Sequence, residues 1–127
     1  MDGSGRQTFL GLEESESGPW DIAILQIPLE MTSSYGEGTR HGPKACIEAS
    51  SQVELYDSVL KKDLPCGARI HTASPWSSEA PSLREQLDSI GEYVRPWFAG
   101  GTFSLVLGGE HGILLPVLEN IHRHPSV

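Results

Sequence analysis

Hydrophobic residues form two short continuous runs in this chain, DIAILQIPL at residues 21–29 and FSLVL at residues 103–107. Runs of this length without polar alternation are typical of strands buried on both faces, as in parallel sheets. The first run therefore predicts a strand that Pro28 closes. The second predicts a strand that ends at the glycine pair Gly108-Gly109.

Apolar residues at spacings of three and four predict three helices. The first is expected over about residues 43–57, because proline fits the first helical position, where its missing N–H would have no partner. Its apolar stripe is expected to consist of Cys46, Ala49, Val53 and Tyr56.

The second helix is predicted to begin at the capping box of Ser82 and Glu85 and to end or kink near Arg95, since Pro96 removes a helical hydrogen bond. Gly100-Gly101 is predicted to end it outright. The third is predicted over about residues 113–122, and a short strand is possible within residues 66–72. The element order predicts an α/β fold with a parallel sheet and right-handed crossovers.

A sheet of only two or three strands is too small to cover the apolar faces of its helices. Residues 20–127 are therefore expected to be the incomplete N-terminal part of a larger domain. Residues 1–19 lack either hydrophobic period and are rich in glycine, serine and acidic residues, so they predict a flexible N-terminal arm with little order.

Composition narrows the classes of function. The net charge of −8 disfavours nucleic acid and favours cationic small molecules or metal ions. The first residues do not show a positively charged start followed by an apolar core, and no apolar run approaches membrane-spanning length, so we expect a cytoplasmic protein without a membrane partner. Cys46 and Cys66 lack C-x-x-C spacing and are expected to be reduced thiols.

The first candidate for chemistry is His111, which follows Glu110 directly after Gly108-Gly109. Imidazole is the commonest metal ligand, and ligands of parallel sheets bind at the carboxyl ends of the strands. The alternative is a single buried or capping histidine, which is the commoner case, at an ordinary strand-to-helix turn. A dinucleotide site is disfavoured, because GGEHG does not match G-x-G-x-x-G.

The second candidate is the polar, glycine-rich loop after the first strand. It either contacts a ligand or is a packed turn in which Arg40 binds a carbonyl or a carboxylate. Four other histidines, at positions 41, 71, 122 and 124, are expected to be surface residues. The loop residues of interest are Tyr35, Gly36, Gly38, Thr39, Arg40, Gly42 and Pro43.

These two stretches together resemble the ureohydrolase family of arginases and agmatinases. YGEGTRHGPKACIEASSQVELYD is similar to the agmatinase-type pattern Ser-x-x-x-Gly-(Ala/Thr)-Arg-x-Gly-Pro-x-x-Ile, and LVLGGEHGI resembles the Leu-Gly-Gly-Asp-His-Ser segment. The resemblance runs from about residue 21 to residue 121, with the motifs in order and on matching elements. It favours a ligand role for His111.

The resemblance implies a three-layer α/β/α fold and a pair of Mn2+ ions bridged by a hydroxide that attacks a guanidinium carbon and releases urea. It also implies that His111 is a metal ligand, that Glu110 takes the place of a supporting aspartate, and that residues 35–43 form a substrate-entrance loop. A small guanidino substrate is expected, agmatine or a similar compound. The complete protein is expected to be homo-oligomeric.

The chain departs from the family pattern in three ways. The remaining five metal ligands of the family come from Asp-Ala-His-x-Asp and Asp-x-Asp motifs, which this sequence lacks. Glu110 and Gly112 replace aspartate and serine or threonine, and residues 70–76 lack Asp-x-Gly-Asp. The chain alone is therefore expected to be inactive. The opposing hypothesis is a non-catalytic α/β binding or assembly module.

Overall fold

The computed structural model describes residues 6–14, 17–31 and 37–121. Strand β1 (Ile22–Ile27) lies at the centre of a parallel three-stranded sheet, between β4 (Ile70–Thr72) and β5 (Phe103–Gly108). A small antiparallel hairpin joins β2 (Tyr56–Asp57) to β3 (Lys62–Asp63). The α/β class and the parallel sheet are as predicted.

Helices cover both faces of this sheet. Residues 23, 25 and 27 of β1 share a core with Ile90 and Val94 of α2 (Leu83–Ala99) and with Val117 of α3 (Leu114–Ile121). Side chains alternate along a strand, so Ile24 and Gln26 lie on the opposite face. Helix α1 (Gly42–Ser50) packs against β1 and β5, which gives three layers.

Helix α1 buries a different face from the one predicted. Cys46, Ala49, Val53 and Tyr56 are all exposed, and the last two lie beyond the end of the helix. The buried residues are Pro43, Ile47 and Ser50. Ser50 tolerates burial because its hydroxyl donates to the Ile47 carbonyl and accepts from the Leu10 N–H at 2.8 Å.

The described part of the predicted N-terminal arm contacts the domain. Residues Phe9–Gly11 form a 3₁₀ turn, and Thr8 is buried. The N–H of Phe9 donates to the Thr72 hydroxyl at 2.9 Å. The hydrophobic pattern gives no signal for this packing, because single polar contacts without a period hold the segment.

Helix α2 begins at the predicted capping box and ends at the predicted Gly100-Gly101 pair, without an end at Arg95. It continues through Pro96 to Ala99, where Trp97 and Phe98 pack against the core. Burial of two large aromatic side chains offsets the hydrogen bond that proline removes. The third predicted helix is also present, as a 3₁₀ turn His111–Ile113 followed by α3, with Pro116 in its first turn.

Strand β5 is not buried on both faces, contrary to the prediction. Phe103 is 68% exposed and Leu105 is 37% exposed. Their register partners are Ile22 and Ile24, so both side chains lie on the α1 face of the sheet. The reason is position, because β5 is an edge strand of the sheet that the described residues form.

Candidate active site

The two sequence motifs meet at the carboxyl edge of the sheet. Ile27 and Gly108 are register partners at the ends of β1 and β5. Beyond them the chains stay hydrogen-bonded, because the Gly109 N–H donates to the Ile27 carbonyl at 3.0 Å and the Glu110 N–H donates to the Leu29 carbonyl at 2.9 Å. The turn that carries His111 is therefore fixed against the chain that leaves β1.

Both residues of the glycine pair need the absence of a side chain. A Cβ at Gly109 would overlap the Leu29 carbonyl oxygen and lie 3.0 Å from the Leu29 nitrogen. A Cβ at Gly108 would overlap the side chain of Ile113. Close backbone approach, and not a positive φ, is therefore what glycine provides at this turn.

The start of α1 packs on the same turn. A Cβ on Gly42 would lie 3.1 Å from the carbonyl oxygen of Gly108, which is tighter than ordinary van der Waals contact. Pro43 follows in the first helical turn and is buried. The Gly-Pro step of the first motif therefore rests directly on the Gly-Gly step of the second.

The side chain of Glu110 is turned toward β1. Glu110 is 8% exposed, and its Oε1 accepts a hydrogen bond from the Met31 N–H at 2.6 Å. A buried carboxylate requires such donors, because burial without them is costly. Glu110 therefore connects the His111 turn to Met31, near the start of the polar loop that follows β1.

His111 is exposed at the start of its 3₁₀ turn. Hard divalent ions such as Mn2+ prefer several oxygen donors. Within residues 6–14, 17–31 and 37–121, no group of three or more His, Cys, Asp or Glu side chains could hold a metal ion. His111 can supply one donor, but the described residues do not form a complete metal site, and no metal-dependent step follows from them.

The polar loop is closed by Glu30, a residue that the sequence patterns did not single out. Its carboxylate accepts hydrogen bonds from the Gly38 N–H and, at 3.1 Å, from the Thr39 hydroxyl. Arg40 pairs with the other carboxylate oxygen at 3.4 Å. The Gly38 N–H is the main cause that holds the pKa of Glu30 below its usual value, with Thr39 and Arg40 adding to it.

Arg40 thus binds a carboxylate, which is one of the two partners expected for a packed turn. Its side chain remains 61% exposed. Tyr35 and Gly36 lie outside the described residues. A signal for Glu30 did exist in the sequence, since backbone donors of a glycine-rich loop need acceptors and Glu30 is the carboxylate that precedes the loop.

His71 was expected on the surface and is instead enclosed at β4. Its ring is stacked between Trp20 and Trp97, with centroid distances of 4.9 Å and 5.4 Å. Its Nδ1 lies 2.7 Å from Oε1 of Glu14, whose side chain is only 6% exposed. His41 is exposed as predicted, and His122 and His124 lie outside the described residues.

Parallel strands with helices on both faces define a three-layer α/β protein with an exposed histidine at the carboxyl edge of its sheet. The crystal structure of a hypothetical agmatinase from Burkholderia thailandensis matches with a TM-score of 0.78 at 24% identity, over 91% of this chain and 38% of that chain. The arginase family profile matches residues 20–127, and the chain belongs to the arginase family.

Two relatives extend this comparison. The chain is 34% identical over 129 residues to an N(1)-aminopropylagmatine ureohydrolase of Synechocystis. This alignment covers 97% of this chain and 42% of the relative. The chain is also 33% identical over 107 residues to an agmatinase of Bacillus anthracis. This second alignment covers 84% of this chain and 35% of the relative. The chain thus spans well under half the length of these relatives.

No helix in the part of the chain that the structure describes is long and apolar enough to cross a membrane.

Proposed function

We propose that the complete protein is an agmatinase-like, manganese-dependent hydrolase that converts a guanidino compound into urea and an amine. This chain supplies its N-terminal part. The observation that carries the proposal is the junction of two ureohydrolase-like motifs at one sheet edge, where Gly42 packs on Gly108 and Glu110 binds Met31. Membership of the arginase family supports the reaction class.

The residues of this chain have distinct roles in the proposal. His111 is one metal donor, on a turn that two backbone hydrogen bonds attach to the chain leaving β1. Bound metal would lower the pKa of a water and so provide a nucleophile at neutral pH. Glu110 fixes the turn, and the loop at residues 37–43 borders the entrance. The remaining donors lie outside the described residues.

The charge of the chain supports a cationic substrate. Seventeen acidic against nine basic residues give a negative field that attracts a guanidinium compound. Relatives named agmatinase and N(1)-aminopropylagmatine ureohydrolase make agmatine and its aminopropyl derivative the leading substrates. The Gly-Thr-Arg-x-Gly-Pro pattern argues against arginine.

The second candidate function is a non-catalytic α/β binding or assembly module. It is favoured by one observation, that the described residues hold no cluster of three metal-binding side chains. Under the first proposal the 127-residue chain alone is inactive for the same reason. A cytoplasmic, homo-oligomeric protein also remains part of the proposal, and the free, exposed Cys46 and Cys66 are compatible with a reducing compartment.

The test is urea release by the complete protein, stripped with a chelator and reloaded with Mn2+. Agmatine, N(1)-aminopropylagmatine, guanidinobutyrate and arginine are compared at equal concentration. We expect urea from one of the first two, at least tenfold less from arginine, and activity that returns only with the metal. A folded, Mn2+-loaded protein that releases no urea from any of the four compounds would favour the binding module.

A further inference from the structure

Glu30 is an acidic side chain with no place among the metal donors of the proposed reaction, yet it is nearly buried. Its side chain is 11% exposed. Its carboxylate accepts hydrogen bonds from the Gly38 N–H and the Thr39 hydroxyl and forms an ion pair with Arg40. All three donors lie within one short stretch that leads into α1. One carboxylate therefore organises the whole entry to the helix.

A second carboxylate holds the opposite end of the same loop. Glu110 accepts from the Met31 N–H, and Met31 is the residue immediately after Glu30. Glu110 is also the neighbour of His111. Glu110 therefore ties Met31 to the chain that follows β5, and Glu30 ties Gly38 to the chain that follows β1. Both contacts lie at the strand ends that carry the proposed site.

The charge on Arg40 gives Glu30 a second role. Arg40 lies two residues before Gly42, which rests on Gly108 at the site edge. An uncompensated guanidinium at this position would repel a cationic substrate and attract an anionic one. The pair with Glu30 neutralises that charge and directs the planar guanidinium toward a carboxylate of the protein itself.

We propose that Glu30 is a positioning and specificity-determining residue: by anchoring Gly38 and neutralising Arg40, it makes the site prefer cationic over carboxylate-bearing guanidino substrates. The role of Glu30 in substrate preference, called the substrate half below, rests on the proposed function. Its role in holding Gly38, called the anchoring half, rests only on the contacts of Glu30.

The substrate half is tested with three variants of the complete protein: Glu30→Gln, Arg40→Gln and the double variant. Glutamine keeps an acceptor oxygen for Gly38 but has no charge. We expect Glu30→Gln to raise the KM for agmatine about fivefold to tenfold and to lower the KM for guanidinobutyrate, with kcat nearly unchanged. The double variant should recover the KM for agmatine, because the unpaired charge is gone. Glu54→Gln, an exposed carboxylate beyond the end of α1 and outside this loop, is the matched control and should change neither KM.

The anchoring half is tested by hydrogen exchange of the Gly38 amide. Glu30→Ala should speed exchange at least tenfold relative to the wild type, whereas Glu54→Ala should not. Equal shifts of KM for both substrates in Glu30→Gln would overturn the specificity role. Unchanged exchange in Glu30→Ala would overturn the anchor. If no guanidino compound releases urea, both the proposed function and the proposed substrate preference fail. The exchange experiment still tests whether Glu30 anchors Gly38, because it does not depend on activity.

Discussion

Two histidines of this chain have a glutamate as a partner or a neighbour, and their surroundings are opposite. His71 lies on β4 with its Nδ1 2.7 Å from Glu14, a residue far away in sequence, and its ring is enclosed between two tryptophans. His111 directly follows Glu110 in sequence, but that carboxylate is bonded to Met31, and the imidazole is exposed. Adjacency in sequence therefore does not indicate which pair interacts.

The different surroundings of His71 and His111 indicate different roles for the two side chains. The surroundings of His71 hold together the N-terminal segment, β4 and α2, because Glu14 also accepts from the Thr72 N–H at 3.2 Å and from Arg6 at 3.3 Å. His111 contributes an open donor at the edge where the loop, α1 and β5 meet. The enclosed histidine is expected to matter for stability and the exposed one for chemistry.

The largest effect is expected at the turn that presents His111. Gly109→Ala places a Cβ against the Leu29 carbonyl, so the backbone must shift, and we expect a loss of about 3 kcal/mol in the free energy of unfolding. Gly112→Ala is the control, since its Cβ would meet only Leu29 Cδ2 at 3.9 Å. Urea unfolding of the two variants measures the difference; equal stabilities would show that the turn is not tightly fixed.

The next effect compares the two histidines directly. His71→Ala removes a bond to a buried carboxylate and two ring contacts, so we expect it to cost about 2 kcal/mol. His111→Ala should change stability by less than about 0.5 kcal/mol, as is usual for an exposed side chain. Thermal unfolding checks both, and a larger loss in His111→Ala would reverse the assignment.

A smaller effect tests how the N-terminal segment is held. Ser50→Ala removes the acceptor of the Leu10 N–H and is expected to cost about 1 kcal/mol. The neighbouring Ser51 also binds a helix carbonyl, at 2.8 Å, but it is exposed, so Ser51→Ala should have an effect below about 0.5 kcal/mol. Denaturant titration distinguishes the two. Equal losses would show that burial of Ser50 contributes nothing.

The smallest effect is a pH dependence from Glu30. Because its pKa is lowered in the folded state, its contribution to stability is complete above the unfolded value of about 4.3 and is lost as the pH falls through the folded pKa. The wild type should therefore exceed Glu30→Gln in unfolding midpoint at pH 6–7, and this difference should shrink as the pH falls below about 4.3. A difference that is constant from pH 3 to 7 would contradict the charged contacts of Glu30.

Much of the fold was predictable because its strands and helices follow regular patterns. The strand at residues 21–29, the capping box of Ser82 and the glycine pair before His111 all lie where the sequence placed them. The errors arose where more than one pattern fits or where tertiary contacts decide. The Cys46 stripe has the same spacing as the Pro43–Ile47 face, and only packing on the sheet distinguishes them.

The site was predictable only in its parts. Sequence placed His111 and the Arg40 loop at strand ends, but it could not show that Gly42 rests on Gly108 or that Glu30 and Glu110 hold the two ends of the loop. Such contacts depend on the register between β1 and β5. Glu14 and His71 are equally unpredictable, since 57 residues separate them and no periodic signal connects them.

The most direct test of the central claim compares turnover with stability in the two histidine variants of the complete, Mn2+-loaded protein. Urea release is measured at a temperature where all the variants are folded. We expect His111→Ala to lose at least a hundredfold in kcat while its Tm stays close to that of the wild type, and His71→Ala to keep most of its kcat while its Tm falls. Full activity in a folded His111→Ala would contradict the assignment of this edge as the active site.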